Sequence, residues 1–372
     1  MAFGLDMFEP RPPVCVDSRV DLKPFACCFE ARFDFPRSPL FFYELLHCCA
    51  DKTSLDERYN DGDGELCPDR FFYHLKGYSV EDAARLCNEQ ISLSYQCLVR
   101  SGWKPPAEVF VAIDYTNVET WAEKDMFVHK KLGKKEWGAC RVHRFATAAL
   151  VYQGFRFTLA VLPVKNTDPG WDVVRQLLRL ARNIVQVDCV LLDREFYDTE
   201  VYQMIELLGL QYIGHVRRGK TMTRCYYEAL LQGEQSATYT VNASLPKRYE
   251  IELYFKEAEE DDDYDFMVLT SNRLVSPLEV DLLFEAYDAR WGIENTFSEA
   301  NQFRAKTNTV QHSYRLILFA LSHALANLLI VMRRLVPQYR FTRSNMKKMI
   351  KHLIQGKRGI IPLSIHISIR FP

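Results

Sequence analysis

Two acidic residues close apolar runs. Asp114 ends VFVAID, which begins at Val109, and Asp193 ends VDCVLLD, residues 187–193. In open α/β sheets the crevice at the carboxyl ends of the strands is where ligands bind. An aspartate in that position is by itself an ordinary turn former or helix cap, so a third element has to decide. EAYDARWGIENTFSEANQF, from Glu285, has helical spacing and carries Tyr287, Arg290, Glu294 and Asn301. At about 100° per residue these four fall within an arc of roughly 60°. A stripe of phenol, guanidinium, acid and amide bordered by Trp291 and Phe297 differs from a plain solvated face. The simplest reading without chemistry is an Arg290–Glu294 pair at i,i+4, contributing a few tenths of a kcal/mol. The reading with chemistry is stronger. Carboxylates converging from two strand ends and a helix suit hard divalent cations such as Mg2+ or Mn2+. Two such ions about 4 Å apart activate a water or 3′-hydroxyl and stabilise the leaving oxygen during attack on a phosphodiester. Arg290 then grips a phosphate bidentately, which a lysine cannot do. A carboxylate pair working without metal, as in glycoside hydrolysis, is the rival chemistry.

The surrounding pattern supplies the positioning elements. Residues 1–106 read as a mostly helical module that serves as a DNA-end-binding candidate. SVEDAARLCNEQISLSYQCLVRSG shows three-to-four spacing from Val80, an N-cap at Ser79 and a stop at Gly102. SVEDAARL and the helix after it also suggest a helix-turn-helix. DGDGE at 61–65 lacks the ligand positions of a calcium loop, because Tyr59 falls where an acid is needed, and reads as a solvated loop. From Val109 the period changes to that of buried strands. RFATAALVYQ, a turn at Gly154 and FRFTLAVLPV form a hairpin, then a helix over Trp171–Val185, the 187–193 strand, a helix over Thr199–Leu208 and the strand QYIGHVRR. This is an α/β fold, a mixed sheet flanked by helices. Its parts are 107–219 and 281–335, interrupted by a β-rich insertion at 220–280 whose acidic run Glu257–Asp265 reads as a loop tip. A basic tail, 336–372, follows.

These residues resemble a family, the DDE transposases of bacterial and archaeal insertion sequences, in the group with a Y-x2-R-x3-E-x6-K helix. The motifs are AIDYT, LLDREFYD, TSNR and YDARWGIENTFSEANQFRAKT, in order and spacing over roughly residues 70–335. The resemblance implies a ribonuclease H-like fold and a DNA-cutting and DNA-joining enzyme that uses two Mg2+ or Mn2+ ions. It implies Asp114, Asp193 and Glu294 as the metal-binding triad, and Tyr287 and Arg290 as DNA-phosphate contacts. It also implies transposon-end and target DNA as partners, a homodimer in the DNA complex, and a cytoplasmic, nucleoid-associated location. The signature lysine falls on Asn301. Arg304 and Lys306, about one turn further on, are its substitutes; a continued helix would put them about 80° and 120° from Glu294. Asn301 and the tail IIPLSIHISIRFP, which matches no family pattern, motivate the alternative of a catalytically inactive, DNA-binding remnant.

Charge and composition agree with a nucleic-acid partner. The 372 residues carry a net charge of only −1, yet residues 300–372 hold thirteen Lys and Arg and no acid, leaving −14 on the rest. Such asymmetry points to a polyanion. Further basic clusters are Lys130, Lys131, Lys134, Lys135, Arg141 and Arg144, then Arg217, Arg218, Lys220 and Arg224, and Arg333 to Arg358. With 48% apolar and 13% aromatic residues, disorder and collagen-like structure are excluded. The eleven cysteines include adjacent pairs but no C-x2-C, and MAFGLDMFEPRPP lacks a basic region followed by an apolar one, so reduced thiols are expected. Leu316–Met332 is apolar enough to suggest a membrane span, but Ser322, His323 and Asn327 within it favour a buried helix and no membrane.

Overall fold

The computed structural model describes residues 15–21, 38–64, 66–100, 102–131, 141–241, 248–258, 265–273, 275–335, 341–357 and 364–370. Strand β1 (Cys15–Asp21) precedes helices α1 (Ser38–Asp51), α2 (Leu55–Asn60), α3 (Pro68–Leu75) and α4 (Val80–Arg100). Next come β2 (Phe110–Thr120), β3 (Val128–Lys130), β4 (Arg141–Tyr152), β5 (Phe155–Pro163), α5 (Gly170–Arg182), β6 (Cys189–Leu192), α6 (Thr199–Leu207) and β7 (Gln211–His215). The chain continues through α7 (Lys220–Gln232), β8 (Ser236–Val241), β9 (Tyr249–Glu257), β10 (Phe266–Ser271), α8 (Val280–Asp288), α9 (Trp291–Ala300), α10 (His312–Leu335), α11 (Arg343–Lys357) and β11 (Ser364–Arg370). Local chemistry sets these bounds as expected. Ser79 Oγ accepts from the Asp82 amide at 3.0 Å at the start of α4, and Gly102 takes a φ of +84° just beyond its end. The β4–β5 hairpin turns through Gln153 and Gly154, both at positive φ, as a tight hairpin requires.

The sheet is mixed and nine-stranded. Its order is β3-β4-β2-β6-β7-β10-β9-β8, with β5 also on β4. β4 runs antiparallel beside β2, and β5 antiparallel to β4 on its other side, while β6 and β7 run parallel to β2. This is the mixed sheet flanked by helices that the sequence predicts. The strands of 220–280 are not a separate body. β10 pairs with β7, from Leu269↔His215 to Ser271↔Ile213, so the insertion prolongs the main sheet. The backbone groups of β7's outer edge need partners, and β10 supplies them. The loop between β9 and β10 lies mostly outside the described residues.

The sheet divides two cores. Val111, Ile113, Val190, Leu192 and Tyr212 face a large one shared with α1, α4, α5, α6, α10 and α11. Ala112, Cys189, Leu191, Ile213 and Leu269 face a smaller one covered by α8 and the start of α9, through Val280, Leu283, Phe284, Tyr287 and Ile293. Helix α10 is the one described helix long and apolar enough to cross a membrane, and its apolar window is 94% buried. Its polar residues have core partners. Asn327 Oδ1 accepts from the Thr158 amide and its Nδ2 donates to Thr158 O, both at 2.9 Å, and His323 Nδ1 lies 2.8 Å from Thr158 Oγ1. Asn88 on α4 pairs with Val161 N and O in the same manner, so two side-chain amides close the outer edge of β5.

Three expectations change. Helix α4 is not a free recognition helix, because Ala83, Leu86, Cys87, Ile91, Tyr95 and Leu98 bury it in the large core. The helices α1 and α4 of the 1–106 module are therefore built onto the α10 side of the sheet. Within the basic 336–372 segment, the described residues 341–357 and 364–370 form structure. α11 buries Met346, Met349, Ile350, Leu353 and Ile354, and β11 pairs antiparallel with β1. Residues 61–64 are loop, and among the described residues no three His, Cys, Asp or Glu side chains are grouped to hold a metal ion. Cys48, Cys49, Cys67, Cys87, Cys97, Cys189 and Cys225 are free thiols.

Candidate active site

Parallel pairing brings the acids into one row. Ile113 is level with Leu192, and Leu192 with Gly214. Asp114, Asp193 and His215 are the next residues along the chain; β6 stops there as expected and β7 stops at His215, but β2 does not end at Asp114 and runs on to Thr120, because β4 continues to pair with it. Side chains alternate across a sheet, so these three share the side of Ala112, Leu191 and Ile213, the side covered by α8 and α9. His215 is a site residue that the sequence reading misses. Its signal is that YIGH closes an apolar run as VFVAID and CVLLD do, with a histidine in place of the acid.

The row is electrostatically tense. Burial raises Asp114 to about 7, with the Asp193 charge adding to the rise, against a 2.7 Å hydrogen bond from the Tyr115 amide to Asp114 Oδ1. Burial lowers His215 to about 4 despite the opposing pull of Asp193, so its imidazole is neutral at neutral pH. The Asp193 carboxylate accepts no hydrogen bond and makes no ion pair among the described residues.

The helix expected from Glu285 onward is two helices. Between α8 and α9 the bonds tighten to i→i−3: Arg290 N to Tyr287 O at 2.8 Å and Ile293 N to Arg290 O at 2.9 Å. This turn changes the angular spacing on which a single stripe was reckoned. The residues still converge. Tyr287, on α8, is buried and donates to Leu192 O at 3.2 Å, tying the helix to the backbone just before Asp193. Arg290 is only 6% exposed. Its Nη1 lies 3.7 Å from Asp114 Oδ2 and its Nη2 3.1 Å from Glu294 Oε1, while its Nε is buried without a partner among the described residues. The guanidinium lies 5.1 Å from the ring of Trp291, which is exposed. Glu294 is itself exposed, on the solvent side of α9.

These groups fit a divalent cation in donor chemistry. Asp114 and Asp193 are hard oxygen donors whose mutual repulsion a cation would relieve. The third carboxylate, Glu294, is held by Arg290 instead. Asn301 caps the C-terminus of α9 and is exposed. The chain leaves the helix there, so Arg304 and Lys306 lie beyond it and helical angles do not place them. Lys306 Nζ is 3.2 Å from Glu57 Oε1, its amide donates to Thr53 O, and it joins α2 rather than the acids. Arg304 is half-buried near Arg315 and His323 and makes no hydrogen bond or ion pair among the described residues.

Among the basic clusters, Arg144 lies beside residues that follow the acids in sequence. It lies over the Tyr115 ring at 5.0 Å, donates to Asn117 Oδ1 at 3.0 Å and sits 3.8 Å from Glu195. Arg217 donates to Arg194 O at 3.0 Å, bringing cations to the ends of β6 and β7, and Arg218 and Lys220 are exposed beside them. Lys130 is exposed, Lys131 pairs with Glu119, Arg141 donates to Ala122 O, and Arg224 lies 3.7 Å from Glu228. Lys134, Lys135, Arg340 and Arg358 fall outside the described residues.

The chain is similar to known proteins. The family model described as "Transposase DDE domain" matches residues 105–328, which contain all three acids. No curated protein matches the chain. Among solved structures, a piggyBac transposase synaptic complex with hairpin DNA, studied by cryo-electron microscopy, is similar with a TM-score of 0.54. The identity is 14%, over 88% of this chain and 74% of that one, a likeness of fold alone.

Proposed function

The chain belongs to the transposase DDE domain family, and from that premise we propose that it is the transposase of a bacterial or archaeal insertion sequence. In this reading it acts on DNA in the cytoplasm, at the nucleoid, as a homodimer on paired ends. One observation carries the assignment of the site. Asp114 and Asp193 directly follow the last paired residues, Ile113 and Leu192, of the parallel strands β2 and β6, on the face where α8 and α9 present Arg290 and Glu294.

Asp114 and Asp193 would hold Mg2+ or Mn2+, two ions in all, with Glu294 as third carboxylate once released from Arg290. Bound there, the ions supply positive charge to the attacking and leaving oxygens of a phosphodiester. The chain's own groups do the rest. Arg290 offers an unsatisfied Nε and, when Glu294 turns away, an Nη2, which together form the fork that grips a phosphate. Tyr287 holds the end of β6, and hence Asp193, in place through Leu192 O. His215 stays neutral and adds no competing charge beside Asp193. Arg144, Arg194, Arg217 and Arg218 surround the strand ends and screen an approaching backbone.

The test uses DNA carrying the element's flanking ends, incubated with Mg2+, Mn2+ or EDTA. Asp114→Asn, Asp193→Asn and Glu294→Gln each remove a charge without changing volume. Each is expected to abolish cleavage and leave end binding within about threefold. A variant that cuts near the wild-type rate removes that residue from the triad, and cleavage that survives EDTA removes the metal. Specific end binding by a wild-type protein that never cuts identifies the inactive remnant, the reading that the Asn301 departure favours.

A further inference from the structure

α9 carries a second acid that the mechanism does not use. Glu299 lies five residues beyond Glu294, about 140° around the helix. Glu294 faces solvent, whereas Glu299 is 6% exposed. Its carboxylate binds two cations from different elements, Arg333 Nη1 of α10 at 2.7 Å and Arg156 Nη2 of β5 at 3.4 Å. Arg333 in turn donates from Nε to Phe341 O at 3.3 Å, just before α11. At the other end of α9, Gly292 packs so closely on β4 that a Cβ there would meet Val151 Cγ1 at 3.0 Å.

We propose that Glu299 is a positioning residue, a buried clamp that fixes the roll of α9 on the sheet and so aims Glu294 and Arg290 at Asp114. The inference rests on the transposase reading for its effect on catalysis, but not for its effect on α9. The helix has a steric anchor at Gly292 and an ionic one at Glu299. The first sets how close α9 lies to the sheet, and the second sets which face turns inward. With the ionic anchor removed, Arg156 and Arg333 are left near each other without their shared carboxylate, and burying that face is no longer favoured. A roll of about 20° carries a carboxylate some 6 Å from the helix axis through about 2 Å. Displacements of that order cost about a hundredfold in well-positioned reactions.

The test compares Glu299→Gln, Arg333→Gln and the double variant with wild-type full-length protein. Three quantities are read: the cleavage rate at saturating DNA ends with Mg2+, the Kd for those ends, and hydrogen exchange of the 291–300 amides against those of β4 and β5. The expected result for Glu299→Gln is a rate lowered about tenfold or more, a Kd within about threefold, and exchange raised about tenfold in α9 with the strands unchanged. The double variant should be little worse than Glu299→Gln, since both changes open one clamp. Unchanged α9 exchange overturns the proposal, as does exchange raised equally in the sheet, which marks a general loss of stability. Should Glu299→Gln fail to fold, Arg333→Gln, altered at a half-exposed side chain, gives the same readouts. If the wild type cuts no DNA with any cation, the transposase reading falls, while the exchange of α9 still decides the clamp.

Discussion

Arg290 is the residue on which the site turns, because one buried guanidinium serves two carboxylates and still leaves Nε unpaired. A buried cation with a spare donor is suited to receive an anion, whereas Lys306, engaged with Glu57 on a wet surface, is not. Arg304 shares the first property in weaker form, being half-buried with no hydrogen bond or ion pair among the described residues. Arg304→Ala is therefore expected to weaken binding of DNA ends about tenfold or more, the scale of one charge-assisted hydrogen bond to a phosphate. Lys306→Ala and Asn301→Lys should each change it less than about threefold. Fluorescence anisotropy titration with labelled ends checks this. A strong gain from Asn301→Lys, with Arg304→Ala silent, would show that the missing lysine is a real gap.

At the scale of elements, α10 explains why a segment of such hydropathy carries polar groups. Asn327 and His323 answer the backbone and hydroxyl of Thr158 on an edge strand that would otherwise expose unpaired groups. Its first residue, His312, stacks on His143 of β4 with their Nδ1 atoms in contact, and His143 Nε2 lies 3.0 Å from Thr120 Oγ1. Burial lowers His143 to about 4, and His312 and His323 to about 3, from an ordinary value of 6.5. The unfolded chain thus binds protons that the folded one refuses. Stability is full above about pH 6.5 and declines as pH falls toward these folded values. Asp114, raised to about 7, acts in the opposite sense over that range, but it is one group against four when His215 is counted. The melting temperature should fall by about 5 °C or more between about pH 7 and pH 5. His312→Asn should blunt the fall; a flat calorimetric profile would show that these imidazoles protonate inside the fold.

For the molecule as a whole, the basic C-terminal segment has two jobs that charge counting merges into one. Five large apolar side chains of α11 are buried, contributing on the order of 10 kcal/mol at about 1.5–3 kcal/mol each. Domain stabilities are of that size. Deleting residues 336–372 should therefore leave protein that aggregates or fails to fold. Arg343 and Lys348 are exposed and Lys347 half-exposed, while Lys351 lies 3.0 Å from Asp51. Replacing Arg343, Lys347 and Lys348 by Gln should keep the fold and lower the salt slope of DNA binding by up to about 0.9 for each phosphate these side chains neutralise. An unchanged slope takes α11 off the DNA path.

The amino-acid order alone determined the apolar runs before Asp114 and Asp193, the hairpin at Gly154, the start of α4 at Ser79 and the presence of Tyr287, Arg290 and Glu294 three and four residues apart, but not that β2 runs on past Asp114 to Thr120. Each of these follows from short-range rules of alternation, capping and turn chemistry that act within a few residues. Only the tertiary structure decided that His215 joins the row of acids, because strand register is a relation between segments far apart in sequence. It also decided that β8–β10 extend the main sheet, that the helix bearing Arg290 breaks into two, and that α11 is core rather than tail. The charges behave in the same way. Glu294 and Glu299 are alike in sequence, on one helix and five residues apart, yet one faces solvent and the other is buried between Arg156 and Arg333. That difference arises from what packs against α9, and long-range packing is a sum over many distant neighbours that no local pattern records.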